Sequence, residues 1–288
     1  QLVETTILSI VIMIGLGYIL KKIDFLSDKD IDSLNKIVIN LLLPCMIFSA
    51  LYSADLSLLP KLSILTVLIL ISSFITGITS YLILKKLNFD DRKIWSVLIT
   101  IMIANTAFMG YPVNLGIYGS EGLLRAIFCD IATTCIFIIL SFALALKFGG
   151  SIKTAIRKII VFPPLWAIIL GLIFNLLLLP IGGVLEKTID YLAGGTIPLI
   201  MLSLGISIDL SGFYRSKFMV LFTTIMKLII FPIIAIFLAK FFGLVDLQYN
   251  VGIIEAAMPS GMLSLVLAIT YKLDRKSTRL NSSHPAGS

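Results

Sequence analysis

Asn105, Thr106, Gly110, Pro112 and Asn114 fall within one apolar stretch, TIMIANTAFMGYPVNLGIYG at Thr100–Gly119. Glu255 and the run Pro259-Ser260-Gly261 fall within another, IIEAAMPSGMLSLVLA at Ile253–Ala268. Glycine and proline disrupt a helix, the proline alone costing about 3 kcal/mol. Breaks at Gly110–Pro112 and at Pro259–Gly261 are therefore expected, and a break frees backbone N–H groups. Such groups, at the positive ends of half-helices, favour an anion.

Three ionisable residues, Lys227, Asp130 and Glu255, lie in equally apolar surroundings. A charge there costs about 2.5–3.5 kcal/mol on insertion scales, so each is expected to face protein or water. Lys227 has two readings: a structural partner of Glu255, or the group that attracts an anionic substrate. Asp130 follows Arg125 by five residues near one end of its segment, which reads as a structural or gating pair. Glu255 and Asp130 are the acidic residues deep enough to relay a proton.

Catalysis fits these residues poorly. Ser260-Gly261 lacks a G-x-S-x-G context, and the single histidine, His284, lies in a polar tail. Zinc motifs and phosphate-binding loops are missing from the sequence, and Cys45, Cys129 and Cys135 have no metal-ligand spacing and read as packing residues. The expectation is binding without an enzyme activity, a metal or a cofactor.

The elements that hold these groups are membrane spans. The chain of 288 residues is 58% hydrophobic and only 14% charged, with a mean hydropathy of +1.06. A soluble domain carries nearer a quarter charged residues. Blocks such as Ile64–Leu84 and Leu123–Leu146 have the length a bilayer-spanning helix needs. Apolar segments recur near 3–20, 34–52, 62–84, 95–118, 122–146, 163–180, 189–210, 217–241 and 249–271, which makes nine spans of an all-α integral membrane protein. Counted at 1.5 Å per residue from Lys93, Asn105 stands roughly 18 Å into its span, near the midplane. The first block lacks a basic leader and a small-residue cleavage site, so it is expected to stay in the mature protein.

The net charge of +7 sits between the apolar blocks, which argues for membrane topology and against nucleic acid. Lys21, Lys22, Lys29 and Lys36 follow span one; Lys85, Lys86, Arg92 and Lys93 follow span three; Lys147, Lys153, Arg157 and Lys158 follow span five; Arg215 and Lys217 follow span seven. The other loops hold single cations, Lys61, Arg125, Lys187 and Lys240. By the positive-inside rule the odd loops are cytoplasmic, in a multi-pass protein of the cell membrane with its N-terminus outside.

An internal repeat organises the spans. Pro44–Ser57, PCMIFSALYSADLS, aligns without gaps on Pro198–Ser211, PLIMLSLGISIDLS, with identities at Pro44/Pro198, Ser49/Ser203, Ser53/Ser207, Asp55/Asp209, Leu56/Leu210 and Ser57/Ser211. Ile12–Leu16 matches Ile168–Leu172 more weakly at nearly the same offset. Five spans separate the copies, and an odd number implies opposite senses across the membrane, an inverted repeat. Residues 1–150 are then the first five-helix unit and 151–273 a second unit of four helices. A tenth span is expected where the tail 274–288 begins. Within that tail Asp274–His284 resembles a translated sequencing adapter, so the tail is read as non-native. Asp55 and Asp209 read as interfacial caps, and Pro44 and Pro198 as shaping the helices that support the crossing.

NLLLPCMIFSALYSADLS, ANTAFMGYPVNLGIYGSEGL, IPLIMLSLGISIDLS, KLIIFP and EAAMPSGMLSLVLAITY run in order through the chain. In these stretches it resembles the auxin efflux carrier family, which includes plant auxin exporters and prokaryotic malate or malonate permeases. The resemblance implies ten helices in two inverted five-helix repeats of sodium/proton antiporter-like type. It implies broken helices four and nine that cross, a scaffold of helices one, two, six and seven, and elevator-type alternating access. By position, Asn105 and Gly110–Pro112 match the first crossover and Pro259-Ser260-Gly261 the second. The known substrates are organic carboxylates.

The expectation is a secondary transporter of a small organic anion, with proton or sodium coupling left open. Candidate substrate-binding residues are Asn105, Thr106, Gly110, Pro112, Asn114, Pro259, Ser260 and Gly261. The alternatives are a sodium-coupled carrier of the bile-acid symporter kind and a non-transporting membrane sensor. The scaffold helices would offer a homodimer surface.

Overall fold

The fold is that of a computed structural model describing residues 2–208 and 217–273. Apolar blocks of this length become helices because lipid offers no partner to backbone N–H and C=O groups. The helices are α1 Leu2–Lys22, α2 Asp28–Ile37, α3 Leu43–Tyr52, α4 Leu59–Lys86, α5 Asp91–Met102, α6 Tyr111–Phe148, α7 Ile152–Ile160, α8 Pro163–Leu176, α9 Gly183–Gly194, α10 Thr196–Ile206, α11 Lys217–Ile225, α12 Phe231–Phe241, α13 Asp246–Ala256 and α14 Met262–Thr270. Six helical segments among the described residues are long and apolar enough to cross a membrane, and α8 is a shorter apolar helix. α6 turns sharply at Gly119, φ 66° and ψ −156°. That is a conformation glycine adopts at no steric cost, and it separates the fourth apolar segment from the fifth. The seventh segment starts at Gly183, six residues before its expected start, and is divided at Gly194-Gly195.

Three prolines inside spans share one local solution. Pro44, Pro112 and Pro232 each follow a widened π turn: Val38–Leu42, Thr106–Gly110 and Met226–Ile230. A proline lacks an N–H, and its ring clashes with the carbonyl four residues back; widening the preceding turn relieves both defects without ending the helix. Pro198 needs no such turn, because it lies in the first turn of α10.

The chain divides into two compact units, each drawing on both sequence repeats: residues 1–65, 106–128 and 159–214 in one, 66–105, 129–158 and 215–288 in the other. The first contains α1, α2, α3, α8, α9 and α10. Within it α1 packs on α10, and α3 on α8 and α9. A Cβ at Gly17 would strike the Leu202 carbonyl and Gly205, and one at Gly171 would strike Leu51 and Phe48. These two approaches are the same contact repeated: Gly17, Phe48 and Leu51 stand in one copy where Gly171, Leu202 and Gly205 stand in the other. The weak match between spans one and six therefore needs a shifted register, with Gly17 and not Gly15 opposite Gly171; nothing lies within 4 Å of a Cβ on Gly15.

The matched serines repeat as well. Ser53 Oγ donates to the Ser49 carbonyl at 2.6 Å and Ser207 Oγ to the Ser203 carbonyl at 2.7 Å. Ser49 Oγ donates to Asp190 Oδ1 on α9, and Ser203 Oγ to Asn35 Oδ1 on α2. Asp55 caps the short turn Leu56–Leu58, its Oδ1 accepting from Ser57 N at 2.9 Å. Asp209 and the tail 274–288 lie outside the described residues.

In the second unit α5 packs against α14 and α11, and α12 against α13. Its core gathers Ile94, Leu98, Ile101, Met102, Ile136, Leu140, Met226 and Leu267.

Candidate functional site: two broken spans joined through their backbones

α5 starts from an Asp90 cap, whose Oδ1 accepts from Lys93 N at 3.1 Å, and stops at Met102. Ile103 is extended, φ −94° and ψ 105°. Ile103–Asn105 then runs antiparallel to Pro259–Gly261 around an Ala104–Ser260 bridge: Asn105 N donates to the Pro259 carbonyl and Gly261 N to the Ile103 carbonyl, each at 2.8 Å. Strand-like pairing satisfies the groups that two interrupted helices would otherwise leave bare in a buried place. Pro259 contributes only its carbonyl, so its missing N–H costs nothing here. Gly261 is required for the approach, because a Cβ on it would meet the Ala104 carbonyl oxygen. Ser264 Oγ donates back to the Gly261 carbonyl at 2.7 Å and fixes the first turn of α14. Ser73 Oγ on α4 donates to the Met102 carbonyl at 3.1 Å.

The first break is thus not at Gly110–Pro112. It lies at Ile103–Asn105, and Gly110 and Pro112 stay helical because the π turn absorbs the proline. No glycine or proline marks the true break, so composition gave no signal for Ile103 and Ala104. The second break falls at Pro259–Gly261 as expected.

The pairing brings Asn105, Pro259, Ser260 and Gly261 together. Asn105 is 7% exposed, Gly261 is buried, and Pro259 and Ser260 are half-buried. Thr106, Gly110, Pro112 and Asn114 belong to the other compact unit. They are buried on the helix that continues from Asn105, where Asn114 Nδ2 donates to the Gly110 carbonyl at 2.9 Å. Pro44 and Pro198 also belong to that unit.

Lys227 is 2% exposed and Glu255 wholly buried. Lys227 Nζ stands 3.8 Å above the centre of the Phe231 ring, one turn on, and among the described residues no group accepts a hydrogen bond from it. It lies close enough to Glu255 to sense its charge without forming a hydrogen-bonded pair. Phe231 was signalled only by its i,i+4 spacing. Cys129, beside Asp130 on α6, lies within electrostatic range of both Asp130 and Glu255. The expected pairing of Arg125 with Asp130 is replaced: Arg125 Nη1 donates to Glu121 Oε2 at 2.6 Å and to the Glu121 carbonyl at 2.8 Å. A residue four away shares a helix face, whereas one five away has turned out of reach. Among the described residues no cluster of three or more His, Cys, Asp or Glu could hold a metal ion.

Residues 2–279 match the model of a family described as membrane transport protein. The chain belongs to that family, the auxin efflux carrier family that its motifs resemble. It is 39% identical to an uncharacterized transporter of Methanothermobacter thermautotrophicus over 269 residues, 93% of this chain and 89% of the relative. It is 34% identical to an uncharacterized transporter of Methanocaldococcus jannaschii over 276 residues, 94% of this chain and 90% of the relative. The protein is therefore a multi-pass, all-helical membrane transporter.

Proposed function

We propose that this transporter is a secondary carrier for a small organic anion, a carboxylate of the malate, malonate or auxin-like kind, bound where the two broken spans meet. The observation that carries the reading is the paired break, Ile103–Asn105 against Pro259–Gly261. It ends α5 and α13 and begins α14 at one place, and the first amides of α14 have no partner inside the helix. Those amides and the positive end of α14 attract a carboxylate. Asn105 supplies a side-chain donor, and Ser260 a hydroxyl. Lys227 Nζ, without a hydrogen-bond partner among the described residues, stands in the same unit and, when protonated, adds a positive field to it. Glu255 and Asp130 are the carboxylates available for a coupled proton. Elevator-type movement of one unit past the other, in the cell membrane with the N-terminus outside, completes the proposal.

The test is flux. Purified chain in liposomes should take up labelled malate, malonate or indole-acetate. Asn105→Ala should cut uptake by about tenfold or more, on the scale of one lost hydrogen bond to a charged group, with melting unchanged. Lys227→Met should weaken substrate binding while Phe231 still packs on the methionine. A broad carboxylate panel giving neither flux nor binding would refute the reading.

A further inference from the structure

Within the first unit, α3, α8 and α9 line most of two cavities that share Phe48 and Ile189 as a common wall. One is a polar chamber of about 300 Å³, where Ser49, Tyr52, Ser53, Glu186 and Asp190 stand. The other is an apolar groove of about 430 Å³, where Pro44, Trp166 and Leu170 join the shared wall. Each is within the size range of a site for one small molecule. The groove opens sideways, with Val161 64% and Trp166 46% exposed. The Trp166 indole N–H donates to the Ile160 carbonyl at 2.6 Å, so the one polar atom of that ring is already satisfied.

The chamber is negative. Glu186 and Asp190 stand four residues apart on α9, share a helix face and are exposed. Among the described residues neither pairs with a cation, and no Lys or Arg lines either cavity. Lys187, next to Glu186 in the chain, lies instead over the Tyr191 ring, 5.8 Å from its centre. Asp190 Oδ1 accepts from Ser49 Oγ at 2.8 Å, but that bond does not need the charge. The matching serine of the repeat, Ser203, makes it to the neutral Asn35. One copy thus carries a carboxylate where an amide suffices in the other, and the surplus charge borders a cavity that continues into an apolar groove. Phe48 and Tyr52, stacked at 5.6 Å, add aromatic faces where the two cavities join, and such faces attract an ammonium.

We infer that the joined cavities bind one amphipathic amine, its ammonium held by Asp190 and Glu186 and its apolar tail laid along Phe48, Trp166 and Leu170. Charge decides the occupant. A phosphate or carboxylate head would meet two carboxylates and no cation. A neutral head gains no charge-assisted bond from them. The site lies wholly in the first unit, whereas the paired break lies in the second, so its ligand is distinct from the transported anion.

The protein's two tryptophans, Trp95 and Trp166, make the test direct. In a Trp95→Phe chain in neutral detergent, the emission reports Trp166 alone. Bromododecylamine should quench that emission at a concentration on the order of tenfold lower than bromododecanol does, the scale of one charge-assisted hydrogen bond. The double change Glu186→Gln with Asp190→Asn keeps the acceptor for Ser49 Oγ, as Asn35 does for Ser203. It should abolish the preference and leave quenching by the alcohol in place. Thermal melting of the chain with both tryptophans covers a failure of the Trp95→Phe variant to fold: dodecylamine should raise its midpoint more than dodecanol does, and the double change should remove that difference. Equal effects of amine and alcohol, or a preference that survives the double change, would overturn the inference. A Trp166 that neither compound quenches would overturn it too, giving the groove to another part of the protein or to a second copy.

Discussion

The two breaks that pair through their backbones are made by opposite means. Pro259 and Gly261 interrupt the second span through their own chemistry: one lacks a donor, and the other alone permits contact with the Ala104 carbonyl. The first span breaks at Ile103, Ala104 and Asn105, residues with no local reason to leave a helix. Their amide and carbonyl groups are claimed by the partner strand at 2.8 Å. One break is written locally and the other is imposed by the segment it pairs with. A break of the second kind depends on the first.

Gly261→Ala tests that dependence most severely. The added methyl meets backbone that cannot swing away, and overpacking of this kind costs about 1–3 kcal/mol. Ala104→Gly, on the imposed side, should cost less than half as much. Equal shifts in thermal melting in detergent would erase the distinction. Next in size, Asn105→Pro removes the donor to the Pro259 carbonyl and leaves that oxygen unsatisfied, a loss of about 1–3 kcal/mol. Asn105→Ala keeps the backbone bond and should melt close to the parent.

Pro259→Ala should cost under ~1 kcal/mol in the same melts, since the pairing holds the break once Gly261 is present. A collapse of the fold in that variant would mean that the proline, not the pairing, sustains it.

The far ends of the two broken spans are tied as well, and the effects there are smallest. Arg92 Nη1 donates to the Tyr271 and Lys272 carbonyls at 3.3 and 3.1 Å, closing the end of α14 onto α5. Arg92→Met should cost about 0.5–1.5 kcal/mol. Beside it Asp91 accepts from Lys147 at 2.8 Å and Lys85 at 3.3 Å. The Lys147 bond, with Lys85 second, holds the Asp91 carboxyl below its ordinary value of 3.8. A carboxylate depressed in the folded state stabilises it above that ordinary value, and the contribution disappears as pH falls through the lowered one. Asp91→Asn should therefore melt slightly below the parent at pH 7, and the two curves should converge in strong acid. A gap that persists there would assign the effect to packing.

Much of the architecture was legible because lipid makes it so. Long apolar blocks have no alternative to helix, and the repeat Pro44–Ser57 and Pro198–Ser211 announced itself through polar residues that apolar drift does not produce. The equivalent bonds of Ser53 and Ser207 bear on that repeat directly. Gly110–Pro112 misled because a proline can be absorbed by a widened turn as readily as it can end a helix, a choice made by the packing around it. Arg125 misled because sequence nearness did not weigh which residues share a helix face.

What the sequence determined alone, then, is that the chain is built of long apolar helices, where its prolines and glycines stand, and that Lys227, Asp130 and Glu255 lie in apolar segments. Each of these follows from local composition against a bilayer. Only the tertiary structure decided that Ile103–Asn105 leaves the helix, that Gly261 must be glycine and that Lys227 rests on Phe231. Those outcomes come from groups brought together from distant parts of the chain, where one backbone's unsatisfied amide is met by another's carbonyl.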